Sequence, residues 1–155
     1  MRKNIPCETL ESITAKYCKM RIQRVKHGSE LYDKLIELDA KVFPNCFNEF
    51  KDNREWFVIV SKGEIISYSG SAISEGVCIF VRMWVSIYHR GKGIQSLMIK
   101  KRIESAKKQK CVNVITYTTI DNIASSNNLI KNGFLLYSPQ FAWVGNKYLY
   151  WKLYE

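Results

Sequence analysis

The chain has 155 residues, 46% hydrophobic and 25% charged, with 24 Lys and Arg against 14 Asp and Glu and hence a formal net charge of +10. Such a length and composition suit one domain with one substantial core and leave no second domain to expect. No apolar run approaches the roughly 20 residues of a membrane span, and the opening MRKNIPCETLESITAKYCKM lacks the apolar block of a signal peptide, so no membrane association and a cytoplasmic address are expected. The five cysteines are odd in number, widely spaced and free of any C-x-x-C, which argues against a zinc site and against a disulfide framework. Cys78 and Cys111 fall inside apolar strand patterns and read as small buried hydrophobes.

Residues 1–18 carry weak periodicity and read as an N-terminal arm on a domain spanning 19–155. Met20 to Val25 alternates apolar and basic residues, as an edge strand does. Ser29 is a candidate N-cap for a helix with Glu30 in its first turn and Leu31, Leu35, Ile36 and Leu38 on its apolar side, until Pro44 forbids continuation. The polar stretch Asn45 to Asn53, with isolated aromatics, reads as a loop or second short helix shaping a substrate mouth. Trp56 to Val60 and Ile65 to Ile73 flank a turn at Gly63 and predict a hairpin. Gly76 to Ile87 is expected as a long central strand, and Gly93 to Lys110 as a helix. Cys111 to Thr119 then reads as a strand whose apolar start suits burial on both faces. A short helix from Asn122 to Asn132 ends at Gly133, and Phe134 to Ser138 with Tyr148 to Leu153 make two antiparallel strands. The strand–helix–strand order with a right-handed crossover predicts an α/β sandwich with parallel pairing at its centre.

Between the central strand and its helix lies the turn His89-Arg-Gly-Lys-Gly93. Two glycines let backbone approach a ligand closely, and the first helical turn leaves its amides without intrahelical partners. Those donors, the helix dipole and the cations of Arg90 and Lys92 converge on one point and make a phosphate or diphosphate the natural guest. The dipole contributes only about 0.3–1 kcal/mol, so the amides and cations must carry most of the binding. A nucleoside-triphosphate loop is excluded by the absence of G-x-x-x-x-G-K-[ST], and the dinucleotide fingerprint is matched only weakly.

Arg90-Gly-Lys-Gly-Ile-Gln95 resembles the Q/R-x-x-G-x-G/A signature of the GNAT superfamily of N-acetyltransferases, with Gln95 where that signature has Gly or Ala. Asp121 to Phe134 is similar to the family's later motif N-x-x-A-x-x-x-Y-x-x-x-G-F: Asn122, Gly133 and Phe134 are in register, Ser125 replaces Ala, and Leu129 stands at the Tyr position. The closing Tyr137 to Leu153 looks like the last strands of one poorly characterised branch. The resemblance implies a single-domain mixed sheet, flanked by helices, whose central parallel strands splay apart. It also implies acetyl-CoA as co-substrate, with an amine attacking its thioester directly in a ternary complex, a tetrahedral oxyanion, and departure of the thiolate without a covalent enzyme intermediate. Cofactor contacts are then expected from Val85, Ser86, Ile87, Arg90, Gly91, Lys92, Gly93, Ile94, Gln95, Ser96, Asn122 and Ser125.

Proton transfer is less well provided for. Where many relatives carry a carboxylate or histidine, this chain has Ile79 to Val81, and the tyrosine expected as general acid is Leu129. Tyr117 and Thr118, late on the second central strand, remain as catalytic candidates. Arg82, charged in an otherwise apolar strand, needs a partner: a structural acid, or an anionic group of the substrate. The lysines of the 93–110 helix make either a solvated face or a surface for nucleic acid or an acidic protein. A second reading is therefore a basic nucleic-acid or protein-binding module that keeps the fold with little turnover. The sequence suits a monomer or a homodimer equally.

Overall fold

The computed structural model describes residues 20–154, so the expected arm at 1–18, with its basic cluster and Cys7 and Cys18, lies outside the described residues. Seven strands form one mixed sheet: β1 (Ile22–Arg24), β2 (Arg54–Ser61), β3 (Glu64–Ser74), β4 (Val77–Val85), β5 (Asn113–Thr119), β6 (Phe134–Leu136) and β7 (Tyr148–Leu153). Their spatial order is β1-β2-β3-β4-β5-β7-β6. The helices are α1 (Glu30–Val42), α2 (Ile94–Lys108) and α3 (Ile123–Lys131). Ser29 caps α1 as expected, its side chain accepting from Tyr32 N–H.

Period-two alternation along β2 feeds two cores on opposite faces of the sheet. Trp56 and Val58 pack with Leu35 of α1 and with Tyr68, whereas Phe57 and Ile59 pack with Ile94 and Met98 of α2. A third cluster lies under α2 and α3, where Cys78, Phe80, Ile99, Val114, Leu129, Phe134 and Trp151 meet. Cys78 is fully buried there and Cys111 only partly. Gly70 lies against Trp56, whose ring carbons would stand 2.7 Å from a Cβ at that position.

Three expectations about the strands need correction. The central strand ends at Val85 rather than Ile87, because Ile87–His89 winds into a 3-10 turn and Ile87 and Tyr88 point to solvent. The next strand begins at Asn113, not Cys111. Its burial alternates: Val114, Thr116 and Thr118 are buried while Ile115 and Tyr117 are only half-covered, so one face, not both, enters the core.

Parallel pairing at the centre is present but short. β4 and β5 are paired only from Val77 with Asn113 to Ile79 with Ile115. Beyond that, β5 keeps pairing with β7 as far as Thr119, while β4 stays with β3. The two strands therefore separate toward their C-terminal ends, where α/β sheets bind ligands. At the branching point the Thr116 hydroxyl donates to Phe80 O at 3.1 Å, a side-chain bond standing where the main-chain ladder stops. A register shift also inserts Val81 as an extra residue, since Gly70 pairs with Arg82 but Ser71 with Phe80. Such a bulge re-aims side chains. Phe80 packs under α2, whereas Arg82 reaches Asp39 of α1.

Candidate active site

The turn after β4 builds the first half of the site. Gly91 and Gly93 sit at φ +73° and +78°, and a Cβ on either would meet no protein atom within 4 Å. Both are therefore glycine for backbone conformation and for the open approach in front of the turn, not for packing. Leu97 N–H to Gly93 O, 3.1 Å, is the first rung of α2, so the amides of Ile94, Gln95 and Ser96 precede the ladder. Arg90 Nε donates to Val85 O at 3.0 Å and Lys92 Nζ to Tyr88 O at 3.2 Å, which anchors both cations to the turn itself. Ser86 N–H is used by Ile66 O at 2.8 Å. A cavity of about 900 Å³ opens here between the end of β4, the turn, and the first turns of α2 and α3. Val85, Arg90, Gly91, Gly93, Ile94 and Gln95 line it, and Asn122 and Ser125 close the opposite wall.

Gln95 and Ser125, two of the three departures from the signature motifs, face each other. Gln95 Nε2 donates to Ser125 Oγ at 3.0 Å, and Asn128 Nδ2 donates to Gln95 Oε1 at 2.9 Å. One helical turn on, Asn132 Nδ2 donates to Ser96 Oγ at 2.6 Å. The side-chain amide thus clips α2 to α3 beside the glycine turn. Asn122 acts as N-cap of α3 by accepting from Ser125 N–H at 3.1 Å.

The second half is the cleft between β4 and β5. A cavity of about 280 Å³ is lined there by Phe80 to Met83, by Thr116 to Thr119, and by Ile99, Arg102 and Leu129 beneath. It shares Phe43, Met83, Gln95, Asn122 and Ser125 with the larger cavity. Arg82 is buried and held by a carboxylate: its Nε lies 3.1 Å from Asp39 Oδ1 and its Nη2 donates to Phe47 O at 2.7 Å. Asp39 also accepts from the Tyr68 hydroxyl at 2.7 Å, and burial first, then that bond, raises the phenol's pKa. Tyr117 stacks edge-on against Tyr148 with centroids 5.5 Å apart. Its pKa is raised, chiefly by burial and next by the charge of Glu49. The Thr118 hydroxyl accepts from Trp151 Nε1 at 2.9 Å and contacts Ser126 Oγ at 3.3 Å, so it is engaged with the core beside α3. The buried Cys78 thiol is pushed up to about 12 by burial and stays protonated at neutral pH.

The pattern of the Acetyltransferase (GNAT) family matches residues 20–134, from the first strand through both motifs. The chain belongs to the GNAT family. Among curated protein sequences none is significantly similar to it. Solved structures share its fold at low identity. An acetyltransferase of the GNAT family from Staphylococcus aureus has a TM-score of 0.66 at 16% identity, over 86% of this chain and 100% of that one. An acetyltransferase from Bacillus subtilis, in complex with CoA, has 0.63 at 18%, over 87% and 98%. The ribosomal-protein-alanine N-acetyltransferase of Brucella melitensis has 0.63 at 16%, over 86% and 98%.

In this GNAT domain, Val85, Arg90, Gly91, Gly93, Ile94 and Gln95, with Asn122 and Ser125 across from them, line the larger cavity, whereas Ser86, Ile87, Lys92 and Ser96, also expected at the cofactor, do not. The sequence left three contributors to the cleft unmarked. Asp39 went unnoticed because its partner Arg82 is 43 residues away. The Thr116 bridge depends on strand separation, which no local pattern encodes. Arg102 belongs by composition to the basic surplus of α2, yet it is 3% exposed and enters the core. A signal did exist: Arg102 stands four residues after Met98 and four before Ala106, on the apolar arc.

Proposed function

We propose that the protein is an N-acetyltransferase that uses acetyl-CoA as co-substrate and acetylates a primary amine by direct attack in a ternary complex. One observation carries this reading: the glycine turn that leads into α2 and the cleft between β4 and β5 open into adjoining cavities that share Gln95, Asn122 and Ser125. The amides of Ile94 to Ser96, with Arg90 and Lys92, fit a diphosphate. The thioester supplies the activated acyl group; the protein's residues align it with the amine and offer preorganised donors to the developing oxyanion. No helix among the described residues is long and apolar enough to cross a membrane.

In this reading Tyr117, which lines the smaller cavity, is the group that moves a proton. Its raised pKa keeps the phenol protonated through neutral pH, so it can donate to a departing thiolate but cannot take a proton from an ammonium. No Asp or Glu lines the smaller cavity among the described residues; Asp39 is held by Arg82, and Glu49 by Arg54 at 2.9 Å. The amine is left to release its proton to water, which at pH 7 costs about 4–5 kcal/mol for a lysine-like amine but about 1 for an α-amine. An α-amine is accordingly the favoured acceptor.

Thermal denaturation with acetyl-CoA, CoA and NAD tests the reading. Acetyl-CoA and CoA at a hundredfold excess over Kd should each stabilise by about 2.7 kcal/mol, and NAD should not. A midpoint indifferent to CoA would remove the assignment. With turnover in hand, kcat/KM should rise with pH along the acceptor's own titration, and a profile governed by an enzymic carboxylate near pH 4 to 6 would contradict the water-mediated route.

A further inference from the structure

Arg102 lies in the wall of the cleft between β4 and β5, and among the described residues no carboxylate answers its charge. The guanidinium carbon stands 3.9 Å above the Phe80 ring. Nη1 donates to Gly70 O at 3.3 Å and to Arg82 O at 3.2 Å, the carbonyls beside the bulge in β4. Nη2 meets only the Met83 sulfur, at 3.8 Å, and Nε has no partner among the described residues. No carboxylate pairs with Arg102 among those residues, whereas Arg82, in the same cavity, is paired with Asp39.

A cation taken out of water at this depth is costly unless an anion accompanies it. Two long bonds to neutral carbonyls offset part of that cost and use only one nitrogen. The edge left over, Nε with Nη2, is the pair of parallel donors that a carboxylate fits in bidentate fashion. Burial lowers the guanidinium's pKa to about 9, which leaves it charged at neutral pH. Met83, the side chain against that edge, is an unbranched thioether able to swing aside, and it lines both cavities. Arg102 also lies eight residues beyond Ile94, hence about 12 Å along α2 from the glycine turn, and lines the smaller cavity.

We propose that Arg102 anchors a carboxylate that one of the two reactants carries into the cleft. Two sources share that chemistry: the terminal carboxylate of a dicarboxylic acyl thioester, or the carboxylate of an amino-acid acceptor. The proposal rests on the transferase reading above and narrows it, since a positive cavity without a free carboxylate disfavours polyamine acceptors.

The test compares the full chain with Arg102→Met, which keeps the side chain's length and apolar stem, and with Lys101→Met on the outer face as control. Calorimetry with CoA, acetyl-CoA and succinyl-CoA forms the donor arm. If the acyl chain is the source, the unaltered protein binds succinyl-CoA about tenfold or more tighter than acetyl-CoA, and R102M makes them equal. In the acceptor arm, kcat/KM with acetyl-CoA, referred to the concentration of unprotonated amine, is measured for a panel of α-amino acids against their amides. If the acceptor is the source, the acids are favoured by about tenfold or more and R102M removes the preference. The absence of both preferences in the unaltered protein, or a preference that survives in R102M, overturns the proposal. Should R102M fail to fold, the comparison in the unaltered protein decides alone. Failure of CoA itself to bind would instead sink the transferase reading, so the two are told apart.

Discussion

At the scale of single residues, the site depends on two positions whose demands differ in kind. Gly93 is needed for its backbone and for the space in front of it: φ is +78° and a Cβ meets nothing of the protein. Gly93→Leu should therefore cost about 1–2 kcal/mol of folding stability from the left-handed conformation, which a domain of this size tolerates. The loss in CoA affinity should be far larger, because the side chain would project where the diphosphate must approach the amides. Circular dichroism and calorimetry on the same sample separate the two effects, and unaltered affinity would remove the turn from the mechanism. Asp39 is the opposite case, required for charge. Both Arg82 and the Tyr68 hydroxyl bond to its Oδ1, and all three side chains are buried. Asp39→Ala leaves a buried guanidinium without its counter-ion, so urea denaturation should show a loss of about 3–5 kcal/mol. A change below about 1 kcal/mol would mean that Phe47 O and the Phe43 ring, 4.8 Å from the guanidinium, suffice to hold Arg82.

Among the elements, the contact between α2 and α3 sets the mouth of the larger cavity, and two exceptions to the family motifs make it. Gln95 and Ser125 look like independent blemishes when each is compared with its own motif, yet they are one hydrogen-bonded pair. A double-mutant cycle with Gln95→Ala and Ser125→Ala should give a coupling energy of about 0.5–1.5 kcal/mol, each single change also weakening CoA binding; strict additivity would show that the clip carries no energy. Legibility follows the same division. Ser29 capping α1, the hairpin of β2 and β3, and the Gly93 start of α2 were readable because each is fixed by residues within a few positions of one another. The cleft was not. Its shape comes from the Val81 bulge, which sets Phe80 and Arg82 on opposite faces, and from the early end of the β4–β5 ladder. The bulge depends on how β4 pairs with β3, and the end of the ladder and the placement of Arg102 against the Gly70 and Arg82 carbonyls depend on residues 20 or more positions away.

For the whole molecule, the surplus of +10 acts at a distance where no single contact does. Arg90 and Lys131 stand at the larger cavity, and Lys100 and Lys110 lie exposed on and just after α2. Coenzyme A carries several phosphate charges, so this field should guide it toward the turn before any hydrogen bond forms. Screening distinguishes guidance from grip, because the Debye length falls from about 30 Å at 0.01 M salt to about 3 Å at 1 M. The association rate constant of CoA should accordingly drop by about tenfold or more across that range, while dissociation, governed by the short contacts at Ile94 to Ser96, changes much less. Lys100→Gln with Lys110→Gln should lower the low-salt association rate and leave dissociation as it was, since neither side chain lines the cavity. Stopped-flow measurement reads both constants. If association proves flat with salt, the basic surface has no part in cofactor capture, and the lysines of α2 serve only to keep that face in water.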